Sequence, residues 1–133
     1  MLFRSDDPLW VDDVPSSMNW LGSCIAGALA GAHEAHVHAA SYEATDLARA
    51  VCFGALAPGE VADDTGKLVG ISQRRTREGA RFQCVAYTEW DTEPWVNLIA
   101  DPSIRDLTRA LRVAELALPG DDFVARLTQS LPR

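Results

Sequence analysis

The chain has 133 residues and a formal net charge of −7, and 47% of its residues are hydrophobic, including four tryptophans. This size and apolar content predict one folded domain with a sizeable core, and they argue against disorder. The negative charge argues against a nucleic-acid partner, which would require net or clustered positive charge.

The N-terminus and the cysteines favour a cytoplasmic protein. Residues 1–7 lack the charged and apolar regions of a secretory signal, and the longest nearly apolar stretch, residues 21–32, is too short and glycine-rich to span a bilayer. Cys24, Cys52 and Cys84 are widely spaced and odd in number, which favours a reducing compartment over a disulfide framework. Because no Cys-x-x-Cys pair occurs, no cysteine-based zinc site is expected.

The first half of the chain predicts one helix followed by short strands. After an extended entry over residues 5–16, Ser16 or Ser17 is expected to cap a helix over residues 18–32. Glycines weaken this helix intrinsically, and tight packing against a sheet would offset that cost. Short strands are expected after it at residues 36–41, 50–56 and 60–62.

A β-hairpin is the firmest structural prediction. Residues 67–76 alternate as a strand and are expected to pair with residues 80–89, across a turn in which Gly79 can adopt a positive φ. Farther along, Asp101 and Pro102 are typical of a helix start.

The C-terminal third predicts helices. A short helix is expected at residues 95–100, a longer one from Pro102 to Leu118, and a final one from Asp121. The order of elements predicts an α/β fold of the α+β type, in which a mixed, largely antiparallel sheet packs with helices.

The segment from residue 66 to 77 carries the most chemical information. Lys67 supplies a mobile charge for a carboxylate, carbonyl or phosphate, while Gly70 and Ser72 would let a ligand approach the backbone closely. Strict alternation places Lys67 with Gln73, on the face opposite Gly70 and Ser72. Further donors near the hairpin tip are Arg74, Arg75, Arg77 and Arg81. The alternative is a solvated basic hairpin with a bulge at Gly70, which the pattern alone favours.

The run Gly66-Lys67-Leu68-Val69-Gly70-Ile71-Ser72-Gln73-Arg74-Arg75 resembles the lysine signature of the biotin/lipoate protein ligase and octanoyltransferase family. Members of that family carry lipoate, octanoate or biotin onto a lysine of a carrier domain. The resemblance implies a class II biotin/lipoyl ligase-like fold in which Lys67 contacts the acyl carbonyl or the acyl-adenylate phosphate. It also implies substrate contacts at Gly66, Gly70, Ser72 and Gln73.

Cys52 precedes Lys67 by fifteen positions, and Cys52-Phe53 with Pro58-Gly59-Glu60 is similar to another segment of the family. In its cysteine-dependent transferase branch, that cysteine is the nucleophile and holds the acyl group as a thioester. The chemistry suits a thiolate beside an ammonium, which stabilises the thiolate and a developing oxyanion. The alternative is a buried structural cysteine, which the apolar neighbours of Cys52 support.

The resemblance covers most of residues 1–133 as the C-terminal portion of a catalytic domain, without the family's N-terminal Arg-Arg and Gly-Gly-Gly part. It implies a lipoate–protein ligase or an octanoyl or lipoyl transferase of protein lipoylation, working on a lipoyl carrier domain or an acyl carrier protein. ATP and Mg²⁺ would be needed only for adenylation, and no tightly bound cofactor is expected. A second chain or a second copy could complete the pocket. The alternative is a non-catalytic subunit or degenerate fragment that binds a partner.

Two polar clusters offer further candidates. His33, Glu34, His36 and His38 have the spacing of metal ligands, but they fall where a helix gives way to a strand, so surface histidines are favoured and no metal is expected. A row of arginines at positions 105, 109 and 112 could meet an acidic carrier domain or could form local salt bridges.

Overall fold

The computed structural model describes residues 1–42 and 45–132. Five helices are present in these ranges: α1 (Val14–Leu29), α2 (Asp46–Ala50), α3 (Glu93–Val96), α4 (Pro102–Ala110) and α5 (Gly120–Ser130). The described strands are β1 (Leu2–Arg4), β2 (His36–Val37), β3 (Val61–Ala62), β4 (Lys67–Arg75) and β5 (Gly79–Val85). Within the described parts of the chain, every helix falls short of the length and apolarity that crossing a membrane requires.

The strands form one antiparallel sheet in the order β1-β5-β4-β3-β2. The predicted α+β class with an antiparallel sheet and packed helices is therefore confirmed at this level. The hairpin is also confirmed, since β4 pairs with β5 over six residue pairs from Gly70–Val85 to Arg75–Ala80.

Helix α1 covers one face of the sheet and supplies the centre of the core. Leu21, Ile25 and Leu29 lie along one side of α1 and are fully buried. They pack in one cluster with Val61 of β3 and Val69 of β4. Burying each such side chain stabilises the fold by about 1.5–3 kcal/mol, so this helix–sheet contact contributes several kcal/mol to holding α1 on the sheet.

The start of α1 differs from the prediction, because Asp13 rather than Ser16 or Ser17 is the cap. The Asp13 carboxylate accepts a hydrogen bond from the Ser16 amide at 2.8 Å, and Pro15 occupies the first turn. Bonds from Ser16 lower the pKa of Asp13 below its ordinary value. Proline fits this turn because its missing N–H would have no helical partner there, so the helix begins earlier than the serines suggest.

Two glycines allow α1 to approach the loop before β3. A Cβ on Gly22 would lie 2.1 Å from the carbonyl oxygen of Gly59, and a Cβ on Gly59 would lie 2.5 Å from the carbonyl carbon of Met18. Gly59 also has a φ of +88°, a conformation that other residues rarely adopt. Gly22 thus fits the expectation of tight packing, whereas Gly27 has open space around its Cα.

Replacing Gly59 by alanine is expected to lower the free energy of unfolding by about 2–4 kcal/mol, because left-handed backbone strain adds to overlap with Met18. Gly27→Ala is the matched control, and it should raise the free energy of unfolding by about 0.5–1 kcal/mol through better helix propensity. Urea unfolding of both variants measures the two effects. Equal effects in the two variants would contradict the close helix–loop contact.

Residues 50–56 do not form the buried strand that was predicted. Helix α2 ends at Ala50, and a 3₁₀ turn follows over Cys52–Gly54. Val51 and Phe53 are buried, so the apolar run was read correctly as core-facing but with the wrong backbone. Thr45 caps α2 by accepting from the Ala48 amide at 3.0 Å, and this local bond favours a helical start.

The helix from Pro102 also ends earlier than predicted, at Ala110 rather than Leu118. Asp101 caps it as expected, accepting from the Ser103 amide at 2.8 Å. Beyond its end, Val113 bridges to Lys67 and Glu115 bridges to Tyr87. These backbone contacts to the sheet outweigh the helical spacing of the apolar residues.

Candidate active site

A bulge in the sheet brings Lys67 to the same side as Gly70 and Ser72. Val61 pairs with Val69 while Ala62 pairs with Lys67, so one step along β3 corresponds to two along β4. An extra residue of this kind changes the phase of side-chain alternation. The sequence had placed Lys67 opposite Gly70, but the two are in contact: a Cβ on Gly70 would lie 3.1 Å from the Lys67 Cε.

The Lys67 ammonium is buried and fully hydrogen-bonded. Its Nζ donates to the Cys52 carbonyl oxygen at 2.9 Å and to the Ala55 carbonyl oxygen at 3.1 Å. It also lies 2.7 Å from a carboxylate oxygen of Glu60, and the two side chains are only 5% and 7% exposed. An ammonium has three N–H donors, so these partners use all of them.

Glu60 joins the lysine to two backbone segments. One of its carboxylate oxygens accepts from the Ala57 amide at 2.7 Å, and the other accepts from the Ile71 amide at 3.1 Å. A buried ion pair offsets its desolvation only when further hydrogen bonds complete it, as they do here. The pair therefore fastens the loop that contains Cys52 to strand β4.

Cys52 is the first residue of the 3₁₀ turn and is exposed. Its neighbours Val51 and Phe53 point into the protein, so the turn presents the cysteine alone toward solvent. Of the two readings that the sequence left open, the buried structural cysteine does not fit this position. The exposed thiol and the carbonyl that binds Lys67 belong to the same residue.

Cys52 and Lys67 line a cleft of about 440 Å³. Its floor is strand β4 at Gly70 and Ser72, and Val85 of β5 forms part of its side. This volume lies within the range of about 300–1,000 Å³ that is usual for small-molecule sites.

An aromatic cluster forms the wall of the cleft. The Phe53 and Tyr87 ring centroids are 5.0 Å apart, and those of Tyr87 and Trp90 are 4.8 Å apart. Trp95 stacks on Trp90 at 5.8 Å. The Lys67 Nζ lies 4.9 Å from the Phe53 ring centroid, so the same ring supports the cation and closes the apolar side. The cleft therefore offers an apolar chain a place beside a thiol and a charged group.

Tyr87 is a site residue that sequence reasoning missed. Burial raises the pKa of its phenol above the ordinary value of 10.0, and the Cys52 thiolate adds to the rise. The phenol therefore stays protonated at neutral pH and can serve as a hydrogen-bond donor in the cleft. Its signal in the sequence is weak, because a tyrosine after a strand is usually a packing residue.

Tyr87 is expected to make stability fall at alkaline pH. A raised folded-state pKa contributes stability that is fully present below pH 10.0 and is lost as the pH rises through the folded value. Tyr87→Phe should therefore unfold with a flatter pH dependence above about pH 10. Urea unfolding from about pH 8 to 11 compares the two proteins. Parallel curves would show that Tyr87 is not held neutral by its surroundings.

The remaining predicted substrate contacts lie away from the cleft. Gly66 is in the turn before β4, where its amide donates to Asp63 at 3.2 Å and a Cβ would lie 2.7 Å from the Arg112 carbonyl oxygen. Gln73 faces α1, and its side-chain amide lies 3.1 Å from the Ser17 hydroxyl. The bulge explains the position of Gln73, because it puts Lys67 on the opposite face of the sheet from Gln73.

Arg75 belongs to the packing of the N-terminal segment and not to the cleft. Its guanidinium donates to the carbonyl oxygens of Val11 and Asp12 and lies 4.6 Å from the Trp10 ring. It also donates to the Ser17 hydroxyl at 3.0 Å. This arginine therefore ties residues before α1 to the sheet.

The histidine cluster separates, as its position at a helix–strand boundary suggested. His33, however, is not a surface residue: its side chain is 8% exposed, with Nδ1 3.2 Å from Asp63 and Nε2 accepting from the Ala117 amide at 2.9 Å. Across residues 1–42 and 45–132, no three His, Cys, Asp or Glu side chains come together as a metal site.

The arginines of α4 make local contacts. Arg109 lies 3.0 Å from Asp106 and 3.8 Å from Glu93, and Arg105 donates to the Ala100 carbonyl oxygen. These contacts match the salt-bridge alternative for Arg109. Arg112, the third arginine of the row, is exposed and forms no ion pair within 4.0 Å among the described residues.

Comparison with known proteins identifies no relative. The chain matches no protein-family model, no curated protein and no solved structure.

Proposed function

We propose that this chain is an acyltransferase of protein lipoylation, which moves an octanoyl or lipoyl group from a thioester donor to a lysine of a carrier domain. The observation that carries the proposal is the exposed Cys52 at the mouth of a cleft whose floor holds Lys67, Gly70 and Ser72. The motif resemblance to biotin/lipoate ligases and octanoyltransferases rests on these same residues. The proposal includes the class II ligase-like fold and a cytoplasmic location, where Cys52 remains a free thiol.

The first step forms an acyl-enzyme. The Cys52 thiolate attacks the carbonyl carbon of the donor thioester, and the negative charge passes to the carbonyl oxygen. The bond to the donor sulfur then breaks, and the departing thiolate takes up the proton that Cys52 lost. A hydrogen bond from the Tyr87 phenol suits the oxyanion, whereas the Lys67 charge is already balanced by Glu60 at 2.7 Å.

The second step regenerates the thiol. The neutral amine of an acceptor lysine attacks the Cys52 thioester, the carbon–sulfur bond breaks, and an amide forms. The proton released by the amine returns to the Cys52 sulfur. No net oxidation and no nucleotide are required, because the donor thioester supplies the energy of the amide.

The hydrogen bonds of Lys67 limit what this residue does. Because its three donors already have protein partners, it contacts an acyl carbonyl only by releasing the Cys52 or Ala55 carbonyl. A complete network of this kind also suits the second candidate function, a non-catalytic subunit that retains the fold. The two candidates differ in whether Cys52 acquires an acyl group.

The test is intact-mass measurement of the chain after incubation with an octanoylated acyl carrier protein, without ATP. The expected result is one octanoyl adduct, which peptide mapping locates at Cys52. A parallel reaction contains octanoate, ATP and Mg²⁺. Octanoyl-AMP without an adduct would replace the transferase by an adenylating ligase. Neither product, even with a candidate second chain, would favour the non-catalytic subunit.

A further inference from the structure

The face of the sheet that contains the cleft floor continues into a group of arginines. Along β4 and β5 the directly opposed pairs are Gly70 with Val85, Ser72 with Gln83, and Arg74 with Arg81. Gln73 and Arg75 contact α1, so Arg74 lies on the other face with Ser72. A strand rises about 3.3 Å per residue, which puts Arg74 about 13 Å from Gly70. One small domain bound at this face could therefore contact the arginines and the cleft at the same time.

These arginines have no acidic partner among the described residues. The ion pairs within 4.0 Å in residues 1–42 and 45–132 leave out Arg74, Arg77 and Arg81, all of which are exposed. Arg81 donates only to the neutral Gln83, at 3.0 Å. Like charges directly opposite each other destabilise a strand pair. The Arg74–Arg81 pair therefore destabilises the hairpin, and no ion pair among the described residues offsets that effect.

The hairpin is basic although the whole chain is acidic. Residues 67–85 contain five basic side chains and one acidic one, Glu78, although the chain has a formal net charge of −7. Lys67 is buried, and Arg75 is bound to the segment before α1. Arg74 and Arg81 share one face of the hairpin, and Arg77 lies in the adjoining turn, where Asp6 and Glu78 line the same surface. These three arginines form a positive patch on an otherwise acidic molecule.

We propose that this arginine patch (Arg74, Arg77 and Arg81) is the docking surface for the acidic protein domain that carries the acyl thioester. The inference rests on the proposed function, because it places that domain where its acyl arm can enter the cleft at Gly70 and Ser72. Charge complementarity steers such an encounter and fixes its orientation. Exposed arginines such as Arg112 and Arg126 also lie elsewhere on the chain, but the proposed orientation requires the arginines that adjoin the cleft.

The test measures binding separately from acyl transfer. Fluorescence anisotropy with a labelled acyl carrier protein that lacks an acyl group compares the wild type with Arg74→Glu/Arg77→Glu. Neither residue lines the cleft. The double variant should bind about tenfold more weakly or worse, and its affinity should depend less on salt. Arg112→Glu/Arg126→Glu makes the same change in net charge at exposed positions outside the patch and should stay within about twofold of the wild type.

A small donor separates docking from chemistry. Loading of Cys52 from octanoyl-N-acetylcysteamine should be the same in the wild type and in Arg74→Glu/Arg77→Glu. If the wild type binds the carrier through the arginines but neither donor loads Cys52, the docking surface stands and the acyl transfer fails. No carrier binding by the wild type, equal loss in the two double variants, or binding of a DNA duplex in place of the carrier would overturn the docking proposal.

Discussion

Lys67→Met is expected to lower the free energy of unfolding by about 3–5 kcal/mol, the usual cost of removing one partner from a buried ion pair. The Lys67 and Glu60 side chains are 5% and 7% exposed, so the Glu60 carboxylate would keep its charge in a largely buried position without the ammonium that balances it. The variant also leaves the Cys52 and Ala55 carbonyl oxygens without their donor. Urea unfolding at neutral pH measures the change.

An exposed ion pair provides the control for Lys67→Met. Arg4 lies 3.0 Å from Asp6, but these side chains are 78% and 72% exposed. Arg4→Met should therefore cost no more than about 1 kcal/mol. The double variant Lys67→Met/Glu60→Gln should be less destabilised than the sum of the single variants, because each removes the same interaction. Additive effects would mean that the two side chains do not depend on each other.

The alternating pattern of β4 predicted the hairpin correctly but did not predict which side chains line the cleft. The long strands of the hairpin follow the sequence pattern, although the turn between them lies at residues 76–78. Gly79, which was expected in the turn with a positive φ, is instead the first residue of β5 and has no positive φ. The sequence suggested a bulge at Gly70, but the observed bulge lies between Lys67 and Val69. Its position depends on pairing with β3, which is only two residues long. That single extra residue moves Lys67 to the side of Gly70 and leaves Gln73 against α1.

The position of Cys52 depends on packing that spacing alone does not encode. An apolar run such as Ala50 to Leu56 suits a strand or a helix, and short runs of this kind are ambiguous. The 3₁₀ turn is supported by hydrogen bonds from Lys67 to the carbonyl oxygen of its first residue, Cys52, and to that of Ala55, which directly follows it; this is a contact across the fold. Glu60 was likewise seen only as part of a motif, although a lone acidic residue between apolar neighbours could have suggested a buried partner for Lys67.

Cys52→Ser is expected to reduce octanoyl loading by about 10³-fold or more, provided that the chain is the proposed transferase. Serine keeps the size of the side chain, but its hydroxyl is almost wholly protonated at neutral pH. The carboxylate in the cleft, Glu60, is already bound by Lys67 and by the Ala57 and Ile71 amides, so it is poorly placed to activate a hydroxyl. Cys52 is exposed, so the substitution removes no core contact and the fold should be unaffected. Single-turnover loading from octanoyl-N-acetylcysteamine, followed by intact mass, gives the rate.

Cys84→Ser is the control, because Cys84 is also an exposed free cysteine and does not itself line the cleft, although its strand partner Ile71 does. It should load at the wild-type rate. If Cys84→Ser were as slow as Cys52→Ser, or if both loaded normally, the acyl group would not be carried by Cys52. Selective loss in Cys52→Ser would instead make the buried Lys67–Glu60 pair the support of a nucleophile. The buried Lys67–Glu60 pair, which is costly to desolvate, would then have the function of positioning the Cys52 thiol at the cleft.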